Sequence, residues 1–147
     1  MHVSDCLTEK AIRFFPAGVS FQQVLEELIG SLELPDPAAA VKAVQDREAV
    51  GATVIAPGLT IPHARLPGLS KILAALGICP KGVPHPSGDP IRLFLLFLSP
   101  KEKMREHLMF LAGVSSLFQV EGLIDALSQL ATAEAVMEKI RAAEKAL

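Results

Sequence analysis

The sequence contains no Trp and no Tyr, and only two of its 147 residues are cysteines. Lack of large aromatics excludes an aromatic-rich sandwich core and leaves the interior to Leu, Ile, Val, Ala and seven Phe, as in helices packed on a buried sheet. Cys6 and Cys79 form no CxxC pair and have no histidine at ligand spacing, so neither a zinc site nor a disulfide framework is supported. Both read as reduced, partly buried thiols. The longest strictly apolar run, Leu93 to Leu98, is too short to span a bilayer, and the amino-terminal MHVSDCLTEK carries charges where a signal peptide needs an apolar stretch. A cytoplasmic protein without membrane insertion is expected. The formal net charge of -2, with acids and bases interspersed, offers no basic stripe for DNA or RNA. There is no GKS or GKT phosphate loop, no GxSxG elbow, no internal repeat and no low-complexity linker.

Half of the residues are hydrophobic, enough for one sizeable core, so a single domain over residues 1–147 of α/β class is expected. Ser20 and Gln23 form a capping box before Val24, Leu25, Leu28, Ile29 and Leu32, which predicts a helix over 20–32. Asp36 before Pro37 predicts a second helix ending near Arg47. Thr53 to Ile55 and Leu59 to Ile61 flank Ala56-Pro57-Gly58 and read as strand, tight turn and strand, the second ending at Pro62-His63. Ile72 to Cys79 and Ile91 to Leu98 read as central strands, with a Pro- and Gly-rich surface loop over 80–90 between them. Ser99-Pro100-Lys101-Glu102 resembles a helix start, followed by the inward stripe Met104, His107, Leu111, Val114 and Phe118. A segment around Leu123 to Leu130 precedes a last amphipathic helix over 132–145.

Chemistry falls to the histidines. His2 reads as part of a frayed terminus and His85 as an exposed loop residue. His63 follows Pro62 at the end of a predicted strand, with Ala64-Arg65 in a loop, so its ring is expected to reach the surface. A neutral imidazole there can offer one nitrogen to phosphorus while a hydrogen bond orients the other, though the local pattern alone fits a structural histidine equally well. His107 lies on the inward helix stripe and by spacing alone is a core residue. Arg47 by itself is a charge complementing a helix C-terminus. A small hydrolase built on His63 and His107 would lack a visible nucleophile or metal set.

Taken together, Arg47-Glu48-Ala49-Val50-Gly51-Ala52-Thr53 and Leu59-Thr60-Ile61-Pro62-His63-Ala64-Arg65 resemble the RExxGST and GIGxGIAIPH signature of the fructose, mannitol and nitrogen-type enzyme IIA family, with the arginine-to-histidine spacing kept. Gly88-Asp89-Pro90-Ile91, the apolar strand to Leu98, Pro100, and His107-Leu108 with Leu111 are similar to its DGxPV, strand, proline and HLxxL segments. The resemblance implies a three-layer α/β/α fold around a mixed central sheet and a phosphorelay role without cofactor or metal. In that role His63 accepts phosphate from the histidine-containing phosphocarrier protein and passes it to an enzyme IIB domain. It further implies that His107 is the second active-site histidine and Arg47 the arginine near the phosphate. Such a trio suits a phosphoryl group whose charge spreads over its oxygens. A regulatory module binding a transporter or kinase, with transfer reduced or lost, is the alternative. Val54, Ala56 and Pro57 replace the usual Gly, Gly and small polar residue, and Ala52 stands where serine is usual. Leu59, Leu66 and Leu69 flank His63 and are the candidate partner contacts.

Overall fold

The structure is a computed structural model, and it describes residues 1–51, 53–86 and 88–147. A 3-10 turn over Val3–Cys6 leads into β1 (Leu7–Phe14), followed by α1 (Phe21–Gly30), α2 (Pro37–Val50), β2 (Val54–Ala56), β3 (Leu59–Thr60) and β4 (His63–Leu66). Then come β5 (Leu73–Val83), β6 (Ile91–Pro100), α3 (Met104–Leu117), α4 (Leu123–Ser128) and α5 (Ala133–Lys145). The strands form one mixed sheet in the order β1-β5-β6-β3-β2, with β4 also paired to β6. β5 and β6 are antiparallel, whereas β1 on β5 and both β3 and β4 on β6 are parallel.

Helices cover both faces, giving the expected α/β/α layering. One core layer joins Val24, Leu25, Leu28 and Ile29 of α1 and Ala40 and Val44 of α2 to the sheet residues Ala75, Phe94, Leu96 and Leu98. The other joins Phe110, Val114 and Leu117 of α3, Leu127 of α4 and Ile140 of α5 to Leu76, Leu95 and Phe97. This alternation along β6 is the two-residue period of a strand covered on both faces. α1 lies so close to β5 that a Cβ added at Gly77 would meet Phe15 at 3.1 Å and Leu28 at 3.3 Å.

The caps act as their residues dictate. Ser20 Oγ accepts from Gln23 N at 3.0 Å while Gln23 Oε1 accepts from Ser20 N at 2.8 Å, and Asp36 Oδ1 accepts from Ala39 N at 3.1 Å. Thr132 caps α5 in the same way.

The structure departs from the sequence reading at five points. β1 is not among the expected elements, because the exposed run Thr8-Glu9-Lys10 interrupts the apolar alternation of Leu7–Phe14. β5 runs on through Pro80 to Val83, with a register shift after Ile78 that accommodates the proline, which shortens the loop. The strand before His63 divides at Ile61-Pro62 and resumes as β4, so Ala64 and Arg65 are strand rather than loop residues. α3 starts at Met104, not at Ser99, because Ser99 and Pro100 remain in β6 opposite Arg65 and Leu66. The amino terminus is also tied down rather than frayed: Ser4 Oγ donates to Glu144 Oε1 at 2.5 Å, and His2 Nδ1 lies 3.8 Å from Glu144 Oε2.

Candidate functional site

The break between β3 and β4 builds the site. Pro62 has no N–H for the ladder, though its carbonyl accepts from Phe97 N at 3.0 Å, so the strand breaks beside β6 and re-enters it with His63 opposite Phe97. The carbonyl of Ile61, just before the break, lies 2.7 Å from His63 Nδ1. A carbonyl oxygen only accepts, so Nδ1 carries the proton and donates. The neutral ring therefore keeps its lone pair on Nε2. Ile61 N donates to the Thr53 carbonyl at 3.0 Å, and the one hydrogen of the Thr53 hydroxyl lies between two acceptors, the Ile61 carbonyl at 2.8 Å and Glu48 Oε1 at 2.6 Å.

His63 is only 8 % exposed, which corrects the expectation of a surface ring. Its plane stacks on Phe97, with centroids 4.9 Å apart and 4° between the planes. His107 arrives from the first turn of α3 on the same face, 5.6 Å from His63 and 5.4 Å from Phe97 between centroids. Its Nδ1 lies 2.6 Å from the hydroxyl of fully buried Ser99. Both rings, Arg47, Ala43, Ala64 and Arg65 line one depression of about 220 Å³. β4 pairs only with β6 among the described strands, and beside it residues of α2 and of α3, from opposite layers, line the same depression.

Electrostatics favour neutral rings. Burial pushes the His63 pKa down, and Arg47 adds to this, against the opposing pull of the Ile61 carbonyl and Glu48. Burial also lowers His107, helped by His63, Arg65 and Arg47. The Arg47 guanidinium donates to the Gly51 carbonyl at 3.1 Å, holding the cation at the end of α2. A neutral imidazole nucleophile beside two guanidinium groups is chemically suited to receive an anionic electrophile.

The structure thus brings His63, His107 and Arg47 together. Arg65, placed in a loop by the sequence reading, lies in the same depression, its side chain bonded to the Lys101 carbonyl. Alternation in β4 would have shown it sharing a face with His63. Ser99 escaped notice because it resembled a helix cap. His85 is not among the residues lining the depression and sits 6.4 Å from Phe21 between ring centroids. Leu59 is fully buried and so offers nothing to a partner, whereas Leu66 and Leu69 are half-buried and line a neighbouring groove with Leu34 and Pro35. Exposed apolar side chains near the site lie elsewhere. Met104 is 44 % and Leu108 56 % exposed on α3, although spacing had placed Met104 inward. The surviving glycine of the altered turn, Gly58, has φ +86° and accepts from Arg92 N and Leu93 N, so Val54, Ala56 and Pro57 still leave a β2–β3 hairpin registered on β6. Ala52 lies outside the described residues. Among those residues no cluster of three metal-ligating side chains occurs, and no helix is long and apolar enough to cross a membrane.

An open mixed sheet covered on both faces matches the fold of the enzyme IIA proteins. Residues 5–143 match the family model described as phosphoenolpyruvate-dependent sugar phosphotransferase system, EIIA 2, and the chain belongs to that family. A nitrogen regulatory protein from Pseudomonas aeruginosa is 32 % identical over 127 residues, covering 82 % of each chain. The crystal structure of the nitrogen regulatory protein IIA-Ntr from Neisseria meningitidis superposes with a TM-score of 0.84 at 25 % identity, covering 94 % of this chain and 98 % of that one. Escherichia coli mannitol enzyme IIA, solved in complex with phosphorylated mannitol enzyme IIB, shares the fold with a TM-score of 0.72 at 18 % identity, covering 92 % and 96 %.

Proposed function

We propose that residues 1–147 act as one cytoplasmic phosphoryl-carrier domain whose His63 accepts phosphate from the histidine-containing phosphocarrier protein. It then hands the group to an enzyme IIB domain or uses it as a regulatory mark. The observation that carries this reading is the His63 Nδ1–H···O=C bond to Ile61 at 2.7 Å, which leaves Nε2 as the nucleophile. In the transfer, the Nε2 lone pair forms a bond to phosphorus as the phosphorus–nitrogen bond of the donor phosphohistidine breaks, and that electron pair returns to the donor ring. Ile61 O stabilises the positive charge that develops on the acceptor ring through Nδ1–H. Arg47 and His107 face the same space and stabilise the charge spread over the phosphoryl oxygens.

The test is incubation with phosphoenolpyruvate, enzyme I and the phosphocarrier protein, read by intact mass. One phosphoryl group is expected on the wild type and on His85→Ala, and none on His63→Ala. Equal labelling of the two variants would show that another residue carries the group. The alternative is a regulatory binding module of the same fold with transfer reduced or lost; the changed turn at Val54, Ala56 and Pro57 does not decide between the two, and an unlabelled wild type would exclude the carrier reading.

Acidity gives an independent check. Folding lowers the pKa of both histidines, so the nucleophile stays neutral and transfer is flat with pH down to about 6.5, the ordinary imidazole value, declining only below it. Stability follows the same sign. Below about pH 6.5 the unfolded chain binds more protons than the folded one, so stability falls with pH until the folded rings protonate as well. Transfer rates and urea midpoints measured from pH 8 to 5 test both, and a rate that fell well above 6.5 would contradict the reading.

A further inference from the structure

The two imidazoles of the site are oriented by opposite kinds of partner. His63 Nδ1 faces a backbone carbonyl, which can only accept, whereas His107 Nδ1 faces the Ser99 hydroxyl at 2.6 Å, which can donate or accept. Ser99 is 0 % exposed, and its hydroxyl has no other hydrogen-bond partner among the described residues. Were His107 Nδ1 to hold the proton and donate, the serine hydrogen would be buried with no acceptor, an expensive arrangement. In the reverse arrangement the hydroxyl donates to Nδ1 and every buried polar hydrogen of the pair is satisfied. The single proton of the neutral ring then sits on Nε2.

We propose that Ser99 is a positioning residue that fixes His107 as the Nε2–H tautomer, so that the site pairs an unprotonated Nε2 on His63 with a protonated, hydrogen-bond-donating Nε2 on His107. The functional consequence rests on the carrier reading; the tautomer does not. Backbone pairing makes the device rigid. Ser99 stands opposite Arg65 in the β4–β6 register, two residues beyond the His63–Phe97 pair, so one short ladder sets both rings. Ring contacts of 5.4 Å between Phe97 and His107 and 4.9 Å between Phe97 and His63 complete the frame. Incoming phosphoryl oxygens would thus meet a donor on His107 while phosphorus meets the lone pair on His63. An Nδ1–H tautomer of His107 would instead present a second lone pair to those oxygens and repel them.

Long-range proton–nitrogen correlation spectra of histidine-labelled full-length protein near neutral pH test the assignment directly. The expected wild-type pattern is a protonated Nε2 and a hydrogen-bonded, unprotonated Nδ1 on His107, with the converse on His63. Protonation of His107 Nδ1 in the wild type would overturn the proposal without any variant. Ser99→Thr, which keeps the hydroxyl, should retain the pattern and transfer within about twofold of wild type, whereas Ser99→Ala should lose the Nδ1 hydrogen-bond shift and slow transfer about tenfold. A Ser99→Ala protein with unchanged His107 nitrogen shifts and unchanged rate would show the serine to be packing alone. If the wild type takes no phosphoryl group at all, the carrier reading fails, while the nitrogen spectrum still decides the role of Ser99.

Discussion

α1 and α2 lie side by side on one face of the sheet and are built for different ends. The first, with 10 residues, buries Val24, Leu25, Leu28 and Ile29, whereas the second, with 14, buries only Ala40 and Val44. α1 presses into the space that Gly77 leaves open and anchors the layer. α2 is mostly a rod of good helix formers with little to bury, and its length carries Arg47 to the open edge of β4. A helix with so little apolar anchorage depends on its ends. Asp36 caps the start and Arg47 bonds the Gly51 carbonyl at the finish. One helix serves the core and its neighbour serves the site.

Substitutions can break this contrast, beginning with the largest expected effect. Leu28→Ala, at a fully buried position of α1, should cost about 2–5 kcal/mol by urea denaturation. Its folded fraction should still accept phosphate on His63 at the wild-type rate, and a rate defect beyond the unfolded fraction would deny the division of roles. Arg47→Ala should show the opposite profile. Stability should change by about 1 kcal/mol, the net value of the one backbone bond that a half-buried Arg47 makes at the end of α2. Transfer should slow by about ten- to a hundredfold, as expected when a hydrogen bond worth about 1.5–3 kcal/mol to a charged group is lost. Stopped quench-flow of the labelling step measures it. Smallest are the caps, where Ser20→Ala and Asp36→Ala should each cost about 1 kcal/mol. If the second also slows transfer and the first does not, then α2 must be fully wound for Arg47 to reach the site.

What could be read from the sequence depended on whether the signal was local. α1 and α2 announced themselves through Ser20 and Asp36, because a cap is a short-range hydrogen bond written into adjacent residues, and α5 through its amphipathic spacing. The Pro57-Gly58 turn was equally plain. β1 was not, since Leu7–Phe14 is a strand by virtue of its parallel neighbour β5, more than sixty positions away in the chain. Ser99-Pro100 misled for the same reason. It has the composition of a helix start, but pairing of β6 with β4 holds it in the sheet and turns the serine toward His107. His63 was singled out by its place after Pro62, whereas the roles of His107 and Arg47 entered through resemblance to a family, and periodicity alone would have left His107 in the core. Arg65 and Ser99 needed the register itself, which no local pattern encodes.

The interruption at Ile61-Pro62 bears on time as well as geometry. Partners that pass a phosphoryl group along meet only briefly, and an encounter that ends before the acceptor ring has found its pose is wasted. In the carrier role proposed for it, His63 has no pose left to find. Its backbone is stitched into β6, its face is flat against Phe97, and its proton is held by a carbonyl that the proline break leaves beside it. The conformational entropy of the imidazole is surrendered once, when the chain folds, and not again at each collision.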